Sequence, residues 1–189
     1  DVSRDTLNML FDIDIDYYVK INFKGVVDLV DALGGVDVNV PVKFCEQDSN
    51  RNFGKSEICL ETGEQTLNGE QALALARHRK TLATGDFQRV QHQQLVVEAM
   101  TKKAKSIRSV STLYDILGAV SKNIETNIQT DEILNLYNVG KRMLFENNAS
   151  INIEKTYLTG YDLTMLIPGL GNVYTFQYYE ESLDEIVKA

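Results

Sequence analysis

Apolar and polar positions along the 189-residue chain repeat with two distinct periods. "RDTLNMLFDI", beginning at Arg4, has the spacing of a short amphipathic helix. "DYYVKINF" then alternates, with Tyr17, Val19, Ile21 and Phe23 on one face and Tyr18, Lys20 and Asn22 on the other. "KGVVDLVDALGG" returns to helical spacing and aligns Val26, Leu29, Val30 and Leu33, while Gly34 and Gly35 offer the left-handed backbone that ends a helix. "VDVNVPV" alternates strictly, and Pro41 restricts that strand to an edge or ends it. Helices and strands in such close succession predict an α/β layer arrangement.

Further along, Asn68 with Gln71 three positions later forms a capping box that opens a helix in "NGEQALALAR". A long helix is expected over about 86–106, and shorter ones over about 112–123 and 131–145. "SINIEKTYLTG" and "NVYTFQYYE" read as strands, and "SLDEIVKA" as a closing helix capped by Ser182 and Glu185. Without repeats, low-complexity tracts or a stiff linker, residues 1–189 are expected to form a single domain. No apolar run approaches the roughly 18 residues of a spanning helix. The polar start at Asp1, lacking an initiating Met, suggests a piece of something longer.

Charge alters this picture at one place. The formal net charge is -8 and the isoelectric point about 4.8, which argues against a nucleic-acid partner, because phosphate-backbone affinity comes from clustered Lys and Arg. Yet residues 77–94 hold Arg77, Arg79, Lys80 and Arg89 against the single acid Asp86, a local charge of +3. On a helix, Asp86, Arg89, Gln93, Val97 and Met100 share one stripe, expected to be polar where it lines a cleft and apolar where it enters the core. Arg77 and Arg79, at the end of the preceding helix, can approach the same helix N-terminus. Guanidinium pairs and unpaired helix NH groups together suit a phosphate or diphosphate. The other reading is a solvated salt-bridge face of little energetic weight, and spacing alone leaves both open. Asp86 could hold the arginines, ligate a Mg²⁺ that bridges phosphate oxygens, or cap the helix.

Three further features carry less. His78 and His92 lack additional nearby ligands for zinc. "GLGN" at 169–172 reads as a turn, and "NAS" at Asn148 matches a glycosylation acceptor pattern that is common by chance. Cys45 and Cys59 flank "CEQDSNRNFGKSEIC" with no second metal-ligand pair, so a disulfide is the preferred reading over two free thiols. Closing a loop of about 15 residues would add on the order of 3 kcal/mol in the chain-entropy model and would point to an oxidising compartment.

Three blocks in order, "YYVKINFKGVVDLVDALGGVDVNVP", "LNGEQALALARHRK" and "GDFQRVQHQQLVVEAM", resemble the LytR-CpsA-Psr family of bacterial cell-wall enzymes over about Leu7 to Met100. The resemblance implies an α/β domain with a central mixed β-sheet flanked by helices in α/β/α layers, here incomplete at its N-terminal side. It implies display on the outer face of the cytoplasmic membrane through a helix that this chain does not contain. The implied activity moves a glycopolymer, such as wall teichoic acid or capsular polysaccharide, from a polyprenyl-pyrophosphate carrier to peptidoglycan, with Mg²⁺ or Mn²⁺. Carried over by position, Arg77, Arg79, Arg89 and Gln93 match the pyrophosphate-holding residues, Asp86 matches the aspartate among them and a metal ligand, and Lys20 is a weaker candidate for the same pocket.

The family's upstream stretch, with two aspartates near a "DSR…SDT" motif and an arginine in an "IPRDT"-like motif, has no counterpart here. "SRDT" at 3–6 resembles the latter only superficially, and a helix cap is the plainer explanation, so Arg4 is given no firm role. On this reading the chain alone is inactive, and the missing strands leave a sheet edge able to pair with another chain. A non-catalytic receptor for polyprenyl pyrophosphates and a transcriptional attenuator of cell-wall genes are the alternatives in function.

Overall fold

The structure is a computed structural model that describes residues 2–50, 57–79, 86–143 and 156–188, with the side chains of 86 and 87 left aside. Two compact units emerge, one from residues 18–150 and one from 1–17 with 151–189, within the stretch expected to form one domain. The composition of elements is α/β, as expected. Among the described residues the strands pair as four two-stranded antiparallel sheets rather than running through one mixed sheet.

In the larger unit, β1 (Val19–Ile21) leads into α2 (Phe23–Ala32), with the Asn22 side chain accepting from the Gly25 amide at 2.8 Å as N-cap. Helix α2 stops at the expected glycines. The Gly34 amide donates to Asp31 O and the Gly35 amide to Val30 O, both at 2.9 Å, and the two residues take φ of 76° and 88°. This double bond closes the helix on left-handed residues that glycine adopts without a Cβ clash. Strand β2 (Val36–Val40) follows and ends at Pro41.

Alternation along β2 buries Val36, Val38 and Val40 and exposes Asp37 and Asn39. Each such valine contributes roughly 1.5–3 kcal/mol on burial. Strand β5 (Gly63–Leu67) pairs with β2 in register Val36↔Leu67 to Val40↔Gly63. Strands β3 (Phe44–Glu46) and β4 (Ile58–Leu60) form a second ladder in which Cys45 lies opposite Cys59, their sulfurs 2.06 Å apart. Helices α3 (Gly69–Arg77) and α4 (Asp86–Ala104) close over this layer, and Leu75, Val96 and Ala99 join the β2 valines, Phe44 and Leu60 in one core. Helix α5 (Val110–Val120), β6 (Ile124–Thr126), which pairs with β1, and α6 (Thr130–Lys141) complete the unit.

The start of α3 depends on a close approach. A Cβ on Gly69 would lie 2.3 Å from the Val27 carbonyl oxygen of α2, so only glycine lets the two helices meet there. The contact is sealed by the Gly69 amide donating to Asp31 Oδ1 at 2.7 Å and by the expected capping box between Asn68 and Gln71.

The smaller unit holds α1 (Val2–Phe11), the hairpin β7 (Gly160–Ile167) with β8 (Gly171–Tyr178), and α7 (Glu180–Lys188). Helix α7 starts before Ser182, so the capping box expected from Ser182 and Glu185 does not form. Ser182 instead turns inward. Its Oγ accepts from the Thr159 amide at 2.9 Å and donates to Tyr157 O, tying the helix to the segment that enters β7. The strand expected in "SINIEKTYLTG" falls largely on 151–155, outside the described residues, while most of β7 lies beyond it. No helix among the described residues is long and apolar enough to cross a membrane.

Candidate functional site

The candidate site lies where α3 ends and α4 begins, within the larger unit. Helix α3 ends at Arg77. His78 leaves the helix at φ -60° and ψ 133°, its amide still donating to Ala74 O at 3.0 Å and Leu75 O at 3.3 Å. Extended backbone alternates its side chains, and the burial follows: Arg77 is half-buried, His78 is 1% exposed and Arg79 is exposed. The triplet Arg77-His78-Arg79 therefore drives an imidazole into the core and leaves a guanidinium on either side of it.

Beneath the arginines lies a stack of flat rings. Phe44 from β3 faces His78 with centroids 4.1 Å apart and planes within 17°, and His92 from α4 continues the stack at 6.4 Å and 14°. Glu46, also buried, brings Oε2 to 3.6 Å from His78 Nδ1. His92 is 4% exposed. Desolvation, and secondarily the neighbouring His78, hold the His92 pKa below the ordinary 6.5, so this imidazole is neutral.

One residue on, Gln93 Nε2 donates to Ala76 O at 3.4 Å. The last carbonyls of a helix have no partner inside it. Gln93 of α4 thus meets a carbonyl in the last turn of α3, and the N-terminal half of α4 is spliced to the arginine-bearing end of α3. Arg77 is fixed from two further directions: Nη1 donates to Asp48 O at 3.1 Å, and Cζ sits 5.1 Å from the centroid of the Phe23 ring. The Asp48 segment is itself tied to α3 through Ser49, whose amide and hydroxyl donate to the Glu70 carboxylate at 2.8 and 2.5 Å.

The expected stripe on α4 needs a correction. Val97 is 55% exposed rather than core-facing, whereas Met100 packs against the core as expected, and the buried positions are His92, Val96 and Ala99. Arg89 belongs to that second stripe, three residues before His92, and its Nε is sealed from solvent. The phase is shifted by one residue, with the slim side chains of Val96 and Ala99 packed in the core against β2 and α3. Gln93 is rotated to the exposed side.

Of the expected site residues, Gln93 reaches the carbonyl of Ala76, the residue before Arg77, Arg89 lies one turn before Gln93, and Arg79 stands two residues beyond Arg77. Asp86 opens α4, and its side chain lies outside the described residues. Lys20 stands apart: it is 70% exposed and its Nζ lies 3.3 Å from Glu125 Oε2 across the β1–β6 pair. No group of three His, Cys, Asp or Glu that could hold a metal ion is found among the described residues. Sequence reasoning set the two histidines aside with zinc and passed over Phe44 and Glu46. The signal was the lone imidazole between two arginines at a helix end.

Residues 1–189 match the model of the LytR_cpsA_psr family. The polyisoprenyl-teichoic acid–peptidoglycan teichoic acid transferase TagU of Bacillus mycoides is 37% identical over 153 residues, 81% of this chain and 47% of that protein. The crystal structure of Bacillus subtilis TagV superposes with a TM-score of 0.78 at 33% identity, covering 98% of this chain and 66% of that one. A structure of TagT bound to LI-WTA aligns at a TM-score of 0.72 and 29% identity over 100% of this chain and 64% of the other. The chain spans about half the length of the curated relatives it matches.

Proposed function

The chain belongs to the LytR_cpsA_psr family, and from that premise we propose that it supplies the diphosphate-binding half of a glycopolymer phosphotransferase. The enzyme would move wall teichoic acid or a capsular polysaccharide from a polyprenyl-pyrophosphate carrier to peptidoglycan, on the outer face of the cytoplasmic membrane. The observation that carries this reading is the α3–α4 splice, which brings Gln93 to the helix end that bears Arg77, with Arg89 one turn away and Arg79 alongside. Relatives named for teichoic acid transfer, and TagT with LI-WTA bound, support the substrate class.

A diphosphate presents a dense negative charge that rises on the bridging oxygen as the P–O bond breaks. Phosphoryl transfer asks a protein mainly for alignment and charge neutralisation. Guanidiniums fixed by packing do this without reorganising: Arg77 by Phe23 and Asp48, Arg89 by burial of its Nε. In the proposed step a sugar hydroxyl of peptidoglycan forms a new O–P bond at the phosphorus that bears the glycan, and polyprenyl phosphate leaves. Asp86, the acid between Arg79 and Arg89 in the sequence, would hold a Mg²⁺ or Mn²⁺ through its carboxylate. That ion would add charge neutralisation.

Incubating the full-length protein with polyprenyl-pyrophosphate glycan, peptidoglycan and Mg²⁺ tests the reading. Transfer is expected, and Arg89→Ala should lower its rate by about 10²–10³, the usual loss for one transition-state donor. Tight diphosphate binding with no transfer would instead favour a non-catalytic receptor. Unchanged transfer in Arg89→Ala would remove that residue from the mechanism.

A further inference from the structure

We propose that Glu70 is a positioning residue for the diphosphate site: through Ser49 it holds the peptide group whose carbonyl aims the Arg77 guanidinium. The proposal rests on the diphosphate reading above. Glu70 stands in the first turn of α3 and Arg77 in its last, seven residues and so two turns apart, which puts both on one face of the helix about 10 Å from each other along its axis. The turn at 48–50 touches both. The Ser49 amide and hydroxyl donate to the two Glu70 carboxylate oxygens at 2.8 and 2.5 Å, and Arg77 Nη1 donates to Asp48 O at 3.1 Å. Within the turn, Asp48 Oδ1 accepts from the Asn50 amide at 3.0 Å, and the disulfide of Cys45 with Cys59 pins the strand that leads into it.

A carboxylate in the first turn of a helix is favourable in itself, since it meets the positive end of the helix dipole. Glu70 does more, because both its oxygens are committed to one residue of another segment. The Asp48 carbonyl and the Ser49 amide belong to the same peptide unit, which is planar and trans, so the two groups point in opposite directions. Seizing the N–H from one end of α3 therefore sets the C=O at the other. The second bond, from the Ser49 hydroxyl, stops that unit from turning about its contact with Glu70. A carbonyl also holds a guanidinium without cancelling its charge as a carboxylate would. Arg77 thus gains a fixed plane, shared between Asp48 O and the Phe23 ring, and keeps its charge for the ligand.

The test uses the full-length protein, with inorganic pyrophosphate titrated calorimetrically into wild type, Glu70→Ala, Glu70→Gln, Arg77→Ala and the double variant of Glu70→Ala with Arg77→Ala. Glu70→Ala is expected to weaken binding about tenfold when Arg77 is present and less than about twofold when Arg77 is already alanine, because the effect passes through that guanidinium. Glutamine can accept from the Ser49 amide and donate to its hydroxyl, so Glu70→Gln should stay within about threefold of wild type. Equal affinities in wild type and Glu70→Ala, or the same loss in both backgrounds, would overturn the positioning role while leaving the diphosphate site standing. Glu70→Gln binding as weakly as Glu70→Ala would do the same, since charge rather than geometry would then be at work. Should Glu70→Ala fail to fold, Ser49→Ala, which deletes one of the two bonds, is measured in the same two backgrounds: a loss confined to the one that retains Arg77 supports the proposal, and equal or no loss overturns it. A wild type that does not bind pyrophosphate, or an Arg77→Ala that binds it unchanged, would remove the diphosphate reading, and this inference with it.

Discussion

A buried imidazole that stays neutral makes a protein sensitive to acid. Unfolded, His92 takes up a proton near pH 6.5, whereas folded it does so only at lower pH. Between those two values the unfolded chain binds more protons, so stability is lost as pH falls from about 6.5 toward the folded pKa. The slope from one such group is at most about 1.4 kcal/mol per pH unit. Urea midpoints measured at about pH 7.5, 6.5 and 5.5 should therefore fall in wild type more than in His92→Phe, and parallel curves would show that His92 does not carry this sensitivity. Single residues were unevenly legible. Arg77 and Gln93 were singled out because charge and amides at a helix end are visible in the sequence, and Gln93 reaches the carbonyl of Ala76, the residue before Arg77. The buried histidines were not legible as core, because a polar side chain announces burial only through its surroundings, and Phe44 and Glu46 come from other elements.

Between elements, the junction of α2 with α3 leaves no room at Gly69. Adding one methyl there places a carbon against the Val27 carbonyl, and backbone cannot swing away as a flexible side chain can. Gly69→Ala is expected to cost about 1–3 kcal/mol, read as a lowered denaturant midpoint at unchanged m-value. A midpoint equal to wild type would mean that the helices separate freely. Helix α2 and strand β2 were readable from pattern because each offers several turns or alternations, ended by glycines or a proline. Strands β3, β4 and β6 span three residues each, too few for a period of two to stand out, and they exist because a partner strand pairs with them. On α4, Val97 suggested one buried face, but the packed face runs through Val96 and Ala99, since fit against β2 and α3 outweighs hydrophobicity counted along a single helix.

For the molecule as a whole, burial is unequal between the two units. Nearly all fully buried apolar side chains belong to the larger one, whereas in the smaller the hairpin strands carry exposed Tyr161, Met165, Tyr174 and Phe176, and α1 buries nothing. Local opening free energy follows such burial. In this 189-residue chain, amides of the β7–β8 ladder should exchange with solvent well ahead of those in β2–β5, and equal protection by mass spectrometry would contradict that. Acidity of the whole is the background against which the basic end of α3 stands out: with a net charge of -8, an anion would be drawn in only where guanidiniums are locally massed. The Arg77-His78-Arg79 triplet also bears on which length changes the chain can accept. Its inside-outside order is a matter of counting, so one residue inserted between Leu75 and His78 would present a guanidinium to Phe44 and push an imidazole into solvent. Insertions and deletions should be excluded at that spot more strictly than most point substitutions, and a library of single-codon insertions across 69–79 would show a sharp gap there.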